Sequence, residues 1–268
     1  MSDTLAILAG SGGLPVALAA ARPAAVCITF AGVSHELFRV THEHRFEKMG
    51  ALFDDLKARG VTEVVFAGSM SRPPLDPQGF DPVMMALAPR LLAAMQGGDD
   101  ALLRLVVQIF EEQGFTVRGA HEIAPDLTVP EGLFAGPQPS HAALQDTERG
   151  ADILSALSPV DVGQGCVVAG GLCLGIETIQ GTDALLEFVA QTPKHLRRGA
   201  RGVFVKAPKR GQDLRVDMPA IGPETLRNAA RAGVEGIVLQ AGSVLIVDTK
   251  SVLQEAEKES VFILGRVL

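Results

Sequence analysis

The stretch LAILAGSGGLP, residues 5–15, decides the fold of the first half of this chain. Residues 5–9 form a short apolar run, which is typical of a buried strand. The glycine-rich loop 10–13 follows at once, and a helix is predicted to begin at Leu14. A strand, a tight glycine turn and a helix in this order are the opening unit of a doubly wound α/β sheet.

The same alternation continues outward to about residue 128. Further strands are predicted at residues 25–30, 63–67 and 115–119, and helices near residues 48–59, 82–95 and 99–113. Parallel neighbours need a crossover connection, usually a helix, so strands that alternate with helices favour a parallel sheet. We therefore predict that residues 1–128 form a Rossmann-like α/β domain with a doubly wound parallel sheet.

The second half of the chain has a different rhythm. Prolines and glycines without periodicity predict a linker over residues 129–140, followed by a mixed α+β domain over residues 141–268. Its predicted strand pairs are residues 166–169 with 172–179, 203–206 with 214–218, and 237–240 with 244–247. Gly170 and Gly171 predict a type I′ turn for the first pair. The predicted fold class is thus α/β, a Rossmann-like parallel sheet plus a C-terminal α+β domain.

The composition excludes several classes of protein. The chain has 268 residues, 47% of them hydrophobic, and its net charge of −7 argues against general affinity for nucleic acid or an anionic membrane. No run approaches the roughly 18 apolar residues of a spanning helix, and the N-terminus lacks the basic region of a signal peptide. The three cysteines show no CxxC spacing and lie in apolar runs. We therefore expect a cytoplasmic protein in a reducing compartment.

The loop formed by Gly10, Ser11, Gly12 and Gly13 is the first candidate for ligand binding. Its backbone amides and the start of the following helix are placed to meet a phosphate group. As a dinucleotide fingerprint the loop fails, because Pro15 stands where the third glycine belongs and no acidic residue follows the second predicted strand. NAD binding is therefore disfavoured. Binding of another nucleotide or anion stays open, and so does a purely conformational role for the glycines.

The segment KAPKRGQDLRVDMP, residues 206–219, concentrates charge. Asp213, Arg215 and Asp217 alternate with apolar residues, so a half-buried strand would present all three on one face. Such a face suits an anionic substrate and a divalent cation, although charges also occur on solvated edge strands. In a strand the two aspartates would lie about 13 Å apart. They could not chelate one metal ion together, so acids from elsewhere are needed.

Two further acids are candidates for that role. Glu177 follows an alternating strand, and its surroundings indicate no capping role. Asp183 lies in the first turn of a predicted helix that Gly181 or Thr182 caps, where a negative charge also favours the helix dipole. His121 follows the last predicted strand of the first half, at the edge where open α/β sheets bind ligands.

Short motifs along the whole chain resemble those of one family. They are Leu8-Ala-Gly10 with Gly13-Leu-Pro15, Ala67-Gly68 with Arg72-Pro73, Gly98-Asp99-Asp100, Gly119-Ala-His121-Glu122, Asp161-Val-Gly-Gln164, Glu177 with Gly181-Thr-Asp183, and Gln212-Asp213-Leu-Arg215-Val-Asp217-Met-Pro219. In this order and spacing the chain resembles the LpxI-type UDP-2,3-diacylglucosamine pyrophosphatases of bacterial lipid A synthesis. It departs from the pattern at Leu186-Glu-Phe188, where basic residues are expected.

The resemblance implies an activity. A cytoplasmic enzyme of this type needs Mg²⁺, or Mn²⁺, and releases UMP and 2,3-diacylglucosamine 1-phosphate after water attacks the phosphorus attached to the sugar. The implied partner is a lipid-linked UDP-sugar and not a nucleic acid, while a peripheral contact with the inner membrane and a homodimer stay open. Two other classes also stay open, a nucleotide-sugar oxidoreductase and a non-catalytic nucleotide-binding regulator.

The resemblance and the chemistry of diphosphate hydrolysis together give each candidate residue an expected role. Asp217 is expected to bind the metal ion or activate water, with Glu177 as a second metal ligand and Asp183 as a further catalytic acid. The expected substrate contacts are a diphosphate clamp of Lys206, Lys209 and Arg215, together with Gly10, Ser11, Gly12, Gly13, Ser69, Arg72, His121, Gln164, Thr182, Gln212 and Asp213.

Overall fold

The computed structural model of this protein describes residues 4–70 and 76–268. The chain divides into two compact units. The first unit comprises Met1–Ala124 together with Asp213–Asp217, and the second comprises Pro125–Gln212 and Met218–Leu268. The segment Asp213–Asp217 therefore belongs to the first unit although it lies late in the sequence and was predicted as part of the C-terminal domain.

The first unit is built on a parallel sheet of five strands. The strands are β1 (Thr4–Ala9), β2 (Val26–Phe30), β3 (His42–His44), β4 (Val61–Ala67) and β5 (Thr116–Arg118). Their order in the sheet is β3-β2-β1-β4-β5, and every neighbouring pair is parallel. The chain thus winds in one direction from β1 and then in the other through β4, which confirms the predicted doubly wound fold.

Helices cover this sheet and close its core. They are α1 (Gly13–Ala21), α2 (Met49–Ala58), α3 (Pro82–Gln96), α4 (Asp99–Glu112) and α5 (Ala120–Ile123). Aromatic side chains fill the space between helices and sheet, with the rings of Phe53 and Phe66 each packed edge-on against Phe110 at a centroid distance of 5.1 Å. Asp81 caps α3 through Met84 N–H and also accepts a hydrogen bond from Gly50 N–H, which ties α3 to α2.

The second unit is built on a mixed sheet of six strands. The strands of this unit are β6 (Gly132–Ala135), β7 (Gly165–Ala169), β8 (Leu172–Ile176), β9 (Val203–Lys206), β10 (Ala220–Ile221), β11 (Gly236–Gln240), β12 (Leu245–Ile246) and β13 (Phe262–Arg266). The large sheet has the order β6-β13-β11-β9-β7-β8, and β10 pairs with β12 separately. Its centre, β9-β11-β13, is parallel, whereas β6, β7 and β8 add antiparallel edges. The predicted mixed α+β character of the second half is confirmed.

Four helices pack on the two faces of this sheet. They are α6 (His141–Leu157), α7 (Gly181–Ala190), α8 (Pro223–Arg231) and α9 (Thr249–Glu259). The core under α6 contains Leu154, Cys166 and Val205, while α7, α8 and α9 share the larger core on the opposite face. Across residues 4–70 and 76–268, none of the helices combines the length and apolar character needed to cross a membrane.

The predicted hairpin between β7 and β8 is confirmed. Gly170 and Gly171 have φ angles of 58° and 77°, the left-handed values that both central residues of a type I′ turn require. The buried carboxylate of Asp146 accepts a hydrogen bond from each of their amides, at 3.0 and 2.7 Å. A side chain from α6 therefore fixes the turn that the two glycines allow.

Two other predicted strand pairs are wrong. Residues 237–240 lie in β11, which pairs in parallel with β9 on one side and β13 on the other, while β12 pairs with β10. A strand buried on both faces is apolar throughout, so its sequence does not reveal which neighbour it takes. Residues 214–216 form a turn instead of a strand, because the amides of Val216 and Asp217 both donate to the carbonyl of Asp213.

The predicted linker and domain boundaries differ in detail from the compact units. The N-terminal part of the first unit ends at Ala124, and the segment 129–140 contains β6, an edge strand that pairs with β13. Only four residues of that segment are in a strand, and prolines flank them. The proline and glycine content that suggested a linker is also typical of a short edge strand.

Candidate active site

The glycine loop of the first unit is tied to the loop that follows β4. Gly10 N–H donates to Ala67 O at 2.7 Å, and Ser11 and Ser69 exchange two backbone hydrogen bonds of 2.8 and 3.0 Å. An added Cβ at Gly10 would lie 2.4 Å from Ser69 O, so this close approach requires glycine. The amides of Gly10 and Ser11 are therefore used within the loop pair, which leaves the following residues to meet a ligand.

Those following residues open α1. Gly12 has a φ of 92°, which glycine adopts readily, and it precedes the helix without any side-chain cap. The first backbone N–H groups of an uncapped helix can donate hydrogen bonds to an anion. Of the four predicted contact residues in this loop, Gly12 and Gly13 are at the start of α1, where a phosphate could bind. Gly10 and Ser11 instead fix the conformation of the loop.

His121 lies just beyond the carboxyl end of β5. Its ring packs over Gly119, where an added Cβ would lie 2.5 Å from His121 Cε1. Gly119 N–H donates to Glu122 Oε2 at 2.6 Å, which closes the first turn of α5. Within the described part of the chain, His121 Nδ1 is buried and has no hydrogen-bond partner. An imidazole nitrogen held in this way at the ligand-binding edge of the sheet fits the predicted substrate contact, which stays a prediction.

The turn Asp213–Asp217 lies at the same end of β5. Arg215 Cα is 3.5 Å from the position that a Cβ on Gly119 would take, and Val216 packs against the core of the first unit. Asp217 N–H donates to Asp213 O at 3.0 Å. The two aspartates are therefore separated by one turn of chain, with a rise of about 6 Å, and not by the roughly 13 Å expected for an extended strand. Asp217 is half-buried at the end of this turn.

Arg215 is held between two carboxylates. Its Nε and Nη2 donate to the two oxygens of Asp213 at 2.9 and 2.7 Å, and its Nη1 donates to Glu111 Oε1 at 2.8 Å. These hydrogen bonds lower the pKa of the Asp213 carboxyl below its usual value and raise the pKa of the Arg215 guanidinium. Both predicted substrate contacts are therefore engaged with each other, and Asp213 is a poor candidate for a general base.

This ion pair predicts a specific pH dependence of stability. Because the pKa of folded Asp213 lies below its ordinary value of 3.8, the contribution of the pair is complete above that pH and is lost as the pH falls through the folded-state pKa. Asp213→Asn should lower the free energy of unfolding by about 1 kcal/mol near neutral pH, since Arg215 is partly screened by solvent. Urea unfolding of both proteins should show this difference shrinking below pH 4. A difference that grows on acidification would contradict the assignment.

The second unit contains a buried charged cluster at the end of β9. Lys206 Nζ donates to both oxygens of Glu177, at 3.0 and 3.3 Å, and to Thr182 Oγ1 at 2.7 Å. The Lys206 and Glu177 side chains are only 4% and 12% exposed. Gly165 leaves room for them, because an added Cβ there would lie 2.6 Å from Glu177 Oε2. The structure thus brings together three residues that the sequence singled out separately.

This cluster changes what each member can do. An ammonium group has three donors, and those of Lys206 are directed at Glu177 and Thr182. Contact between Lys206 and a diphosphate would therefore require release of one of these partners. For the same reason a metal ion at Glu177 would compete with a buried ammonium group.

The remaining predicted residues of the second unit also have partners. Asp183 Oδ1 accepts a hydrogen bond from the buried amide of Asn228 at 2.8 Å, which links α7 to α8. Lys209 pairs with Asp161, and its backbone N–H donates to Gln212 Oε1 at 2.9 Å. The backbone carbonyl of Gln164 accepts from Ala207 N–H at 2.9 Å. Lys209, Gln212 and Gln164 therefore shape the loop after β9.

One predicted residue lies outside the described structure, and two residues of the clusters were not predicted. Arg72 lies outside the described residues, so its predicted contact stays a prediction. Glu111 and Asn228, which hold Arg215 and Asp183, were missed because each is an ordinary helix residue whose partner is distant in sequence. Among the side chains that the structure describes, which leave out residues 1–3, 71–75, 99 and 100, no group of three or more from His, Cys, Asp or Glu is arranged to hold a metal ion.

The fold and these clusters define a protein of two α/β units with polar sites suited to an anionic ligand. Residues 4–127 match the model of the LpxI N-terminal domain, and residues 130–264 match that of the LpxI C-terminal domain. The chain is also 39% identical over 271 residues to the UDP-2,3-diacylglucosamine pyrophosphatase LpxI of Caulobacter vibrioides, covering 97% of this chain and 96% of that protein. This chain belongs to the LpxI family.

Proposed function

We propose that this protein hydrolyses UDP-2,3-diacylglucosamine to 2,3-diacylglucosamine 1-phosphate and UMP. The observation that carries the proposal is the full-length relation to a pyrophosphatase of that name, at 39% identity over 97% of this chain. The two LpxI domain models also match in order along almost the whole sequence. A relation of this extent covers both compact units and all the candidate residues outlined above.

Diphosphate hydrolysis depends on neutralising charge and positioning water more than on covalent chemistry. Water attacks the phosphorus attached to the sugar, the bond from that phosphorus to the bridging oxygen breaks, and UMP leaves. We assign Asp217 to water or metal binding, because it ends the fixed turn beside the carboxyl end of β5 and is half-buried there. The amides of Gly12 and Gly13 at the start of α1 would bind a phosphate group or the uridine.

The residues of the second unit have supporting roles in this proposal. Lys206 fixes the carboxylate of Glu177 and the hydroxyl of Thr182. Asp183 holds α7 against α8 through Asn228. We therefore assign Glu177 and Asp183 to positioning, and Asp217 alone to the reacting groups.

A magnesium ion is compatible with this donor set. Mg²⁺ usually keeps several waters and is bound through one or two carboxylates plus the phosphates of the substrate. A half-buried carboxylate such as Asp217 meets that requirement without a dedicated cage of protein ligands. When bound, the ion would neutralise charge on the diphosphate.

The decisive experiment is incubation of the purified protein with UDP-2,3-diacylglucosamine and Mg²⁺, with release of UMP as the readout. In ¹⁸O-labelled water the label should enter the lipid phosphate and not UMP, because attack is on the phosphorus attached to the sugar. Binding of substrate without turnover would favour a nucleotide-binding regulator instead. Calorimetric binding of NAD(H) would favour the oxidoreductase alternative.

Removal of divalent cations should abolish the hydrolysis. With excess EDTA the diphosphate charge is no longer neutralised by a metal ion, so release of UMP should fall to background. Addition of Mg²⁺ or Mn²⁺ beyond the chelator should restore it. Full activity in the presence of EDTA would show that the proposed metal dependence is wrong while leaving the substrate assignment intact.

A further inference from the structure

The turn that carries Asp217 is anchored to α4 by a residue outside every motif in the sequence. Glu111 lies near the end of α4, about half-exposed, and its Oε1 accepts the hydrogen bond from Arg215 Nη1 at 2.8 Å. The other side of the Arg215 guanidinium is bound by Asp213. Glu111 thus joins this charged turn to a helix more than one hundred positions earlier in the chain. The positive charge of Arg104 on the same helix also helps to lower the pKa of the Asp213 carboxyl.

The same turn is ordered from within. The amides of Val216 and Asp217 both donate to Asp213 O, at 3.2 and 3.0 Å, and Arg215 N–H donates to Asp213 Oδ1 at 3.1 Å. Val216 packs into the core of the first unit. These contacts fix the shape of the turn, and the hydrogen bond to Glu111 ties its Arg215 side chain to α4. The backbone of Arg215 lies beside Gly119 at the end of β5. A guanidinium bound on both sides in this way has fewer N–H groups left to donate to a third anion.

We propose that Glu111 is a positioning residue, which acts through Arg215 to hold Asp217 in its working place. The expected effect on turnover rests on the proposed function. The anchoring of residues 213–217 by Glu111 through Arg215 is a property of the fold and does not depend on it. Arg215 is then a structural support of the site and not a clamp for the diphosphate.

The two roles of Arg215 predict opposite effects of removing Glu111. If Arg215 clamps the substrate, Glu111→Ala frees one of its donors and KM for UDP-2,3-diacylglucosamine should fall. If Arg215 positions the turn, kcat should fall about tenfold, the scale of one charge-assisted hydrogen bond, with KM within about twofold. Glu111→Gln keeps an acceptor for Arg215 Nη1 and should recover most of the lost turnover.

A matched control lies next to Glu111. Glu112 also pairs with an arginine, Arg90 of α3, at 2.7 and 2.9 Å, and accepts a hydrogen bond from Gln108 within α4. Glu112→Ala therefore removes one carboxylate and one ion pair from the same helix end. It should leave kcat and KM at the wild-type values.

Hydrogen exchange tests whether Glu111 anchors the turn at residues 213–217, without any assay of activity. In the peptide covering residues 213–218, Glu111→Ala should speed exchange of the Val216 and Asp217 amides at least about fivefold, and Glu112→Ala should leave it unchanged. Unchanged exchange in Glu111→Ala would overturn the proposal, as would faster exchange with unchanged kcat, or a lower KM. If the wild type released no UMP, the proposed function would fail, and the exchange result would still decide whether Glu111 holds the turn.

Discussion

Asp217→Asn should lower the kcat for hydrolysis of UDP-2,3-diacylglucosamine by about 10²–10⁴, the scale for losing a group that acts in proton transfer or charge stabilisation. Asp217 ends the fixed turn at the carboxyl end of β5 and is only half-buried, so solvent and ligands can reach it, as the proposed role requires. Asparagine keeps the shape of the side chain and loses its charge. Substrate should therefore still bind, with KM within about threefold.

The control for this substitution is Asp54→Asn. Asp54 is exposed on α2 in the same unit, so the variant loses one negative charge without touching the turn. In urea unfolding, the free energy of unfolding of both variants should stay within about 0.5 kcal/mol of the wild-type value. A folded Asp217→Asn protein that turns over within about threefold of the wild type would rule out a role for Asp217 in the chemical step.

Disruption of the buried pair in the second unit should have the largest effect on stability. In the native protein the Lys206 side chain is only 4% exposed. Glu177→Ala removes the counter-charge of its ammonium group, and such a loss typically costs about 3–5 kcal/mol. Lys206→Met leaves the carboxylate uncompensated in the same way. The double substitution removes both charges, so its loss in the free energy of unfolding should be clearly smaller than the sum of the two single losses.

Urea unfolding of the four proteins completes this cycle. Lys209→Met is the matched control, because Lys209 lies in the following loop and pairs with Asp161, a residue whose side chain is 78% exposed. That substitution should change the free energy of unfolding by about 0.5 kcal/mol or less. Additive losses in the Glu177 and Lys206 variants would mean that the two charges do not stabilise one another.

The fold of the first unit follows from local signals. The apolar run before Gly10 and the helical crossovers after it predict a parallel sheet. The short polar strand β3 at its edge was not among the predicted strands, because a three-residue strand carries little hydrophobic pattern. In the second unit the β7–β8 hairpin was equally predictable, because its two glycines specify the turn. The pairing of β11 was not, since its apolar residues fit either a hairpin or the centre of a parallel sheet.

In the candidate site, too, the sequence predicted individual residues but not the tertiary contacts between them. The sequence singled out Glu177, Thr182 and Lys206, yet their mutual hydrogen bonds depend on β8, α7 and β9 meeting in space. The charged segment 213–217 alternates like a strand, but Asp213 and Arg215 pair with each other and Val216 enters a core formed by the first half of the chain. A contact with a residue as distant as Glu111 leaves no periodic signal.

The membership of Asp213–Asp217 in the first unit limits how this protein can be divided or recombined. A gene segment that encodes residues 1–124 alone omits Val216 from its core and the partner of Glu111 from its surface. Exchange of N-terminal halves between relatives would therefore join a helix from one parent to a turn from the other. Chimaeras should be designed so that α4 and residues 213–217 are inherited together, although more than one hundred positions of sequence separate them.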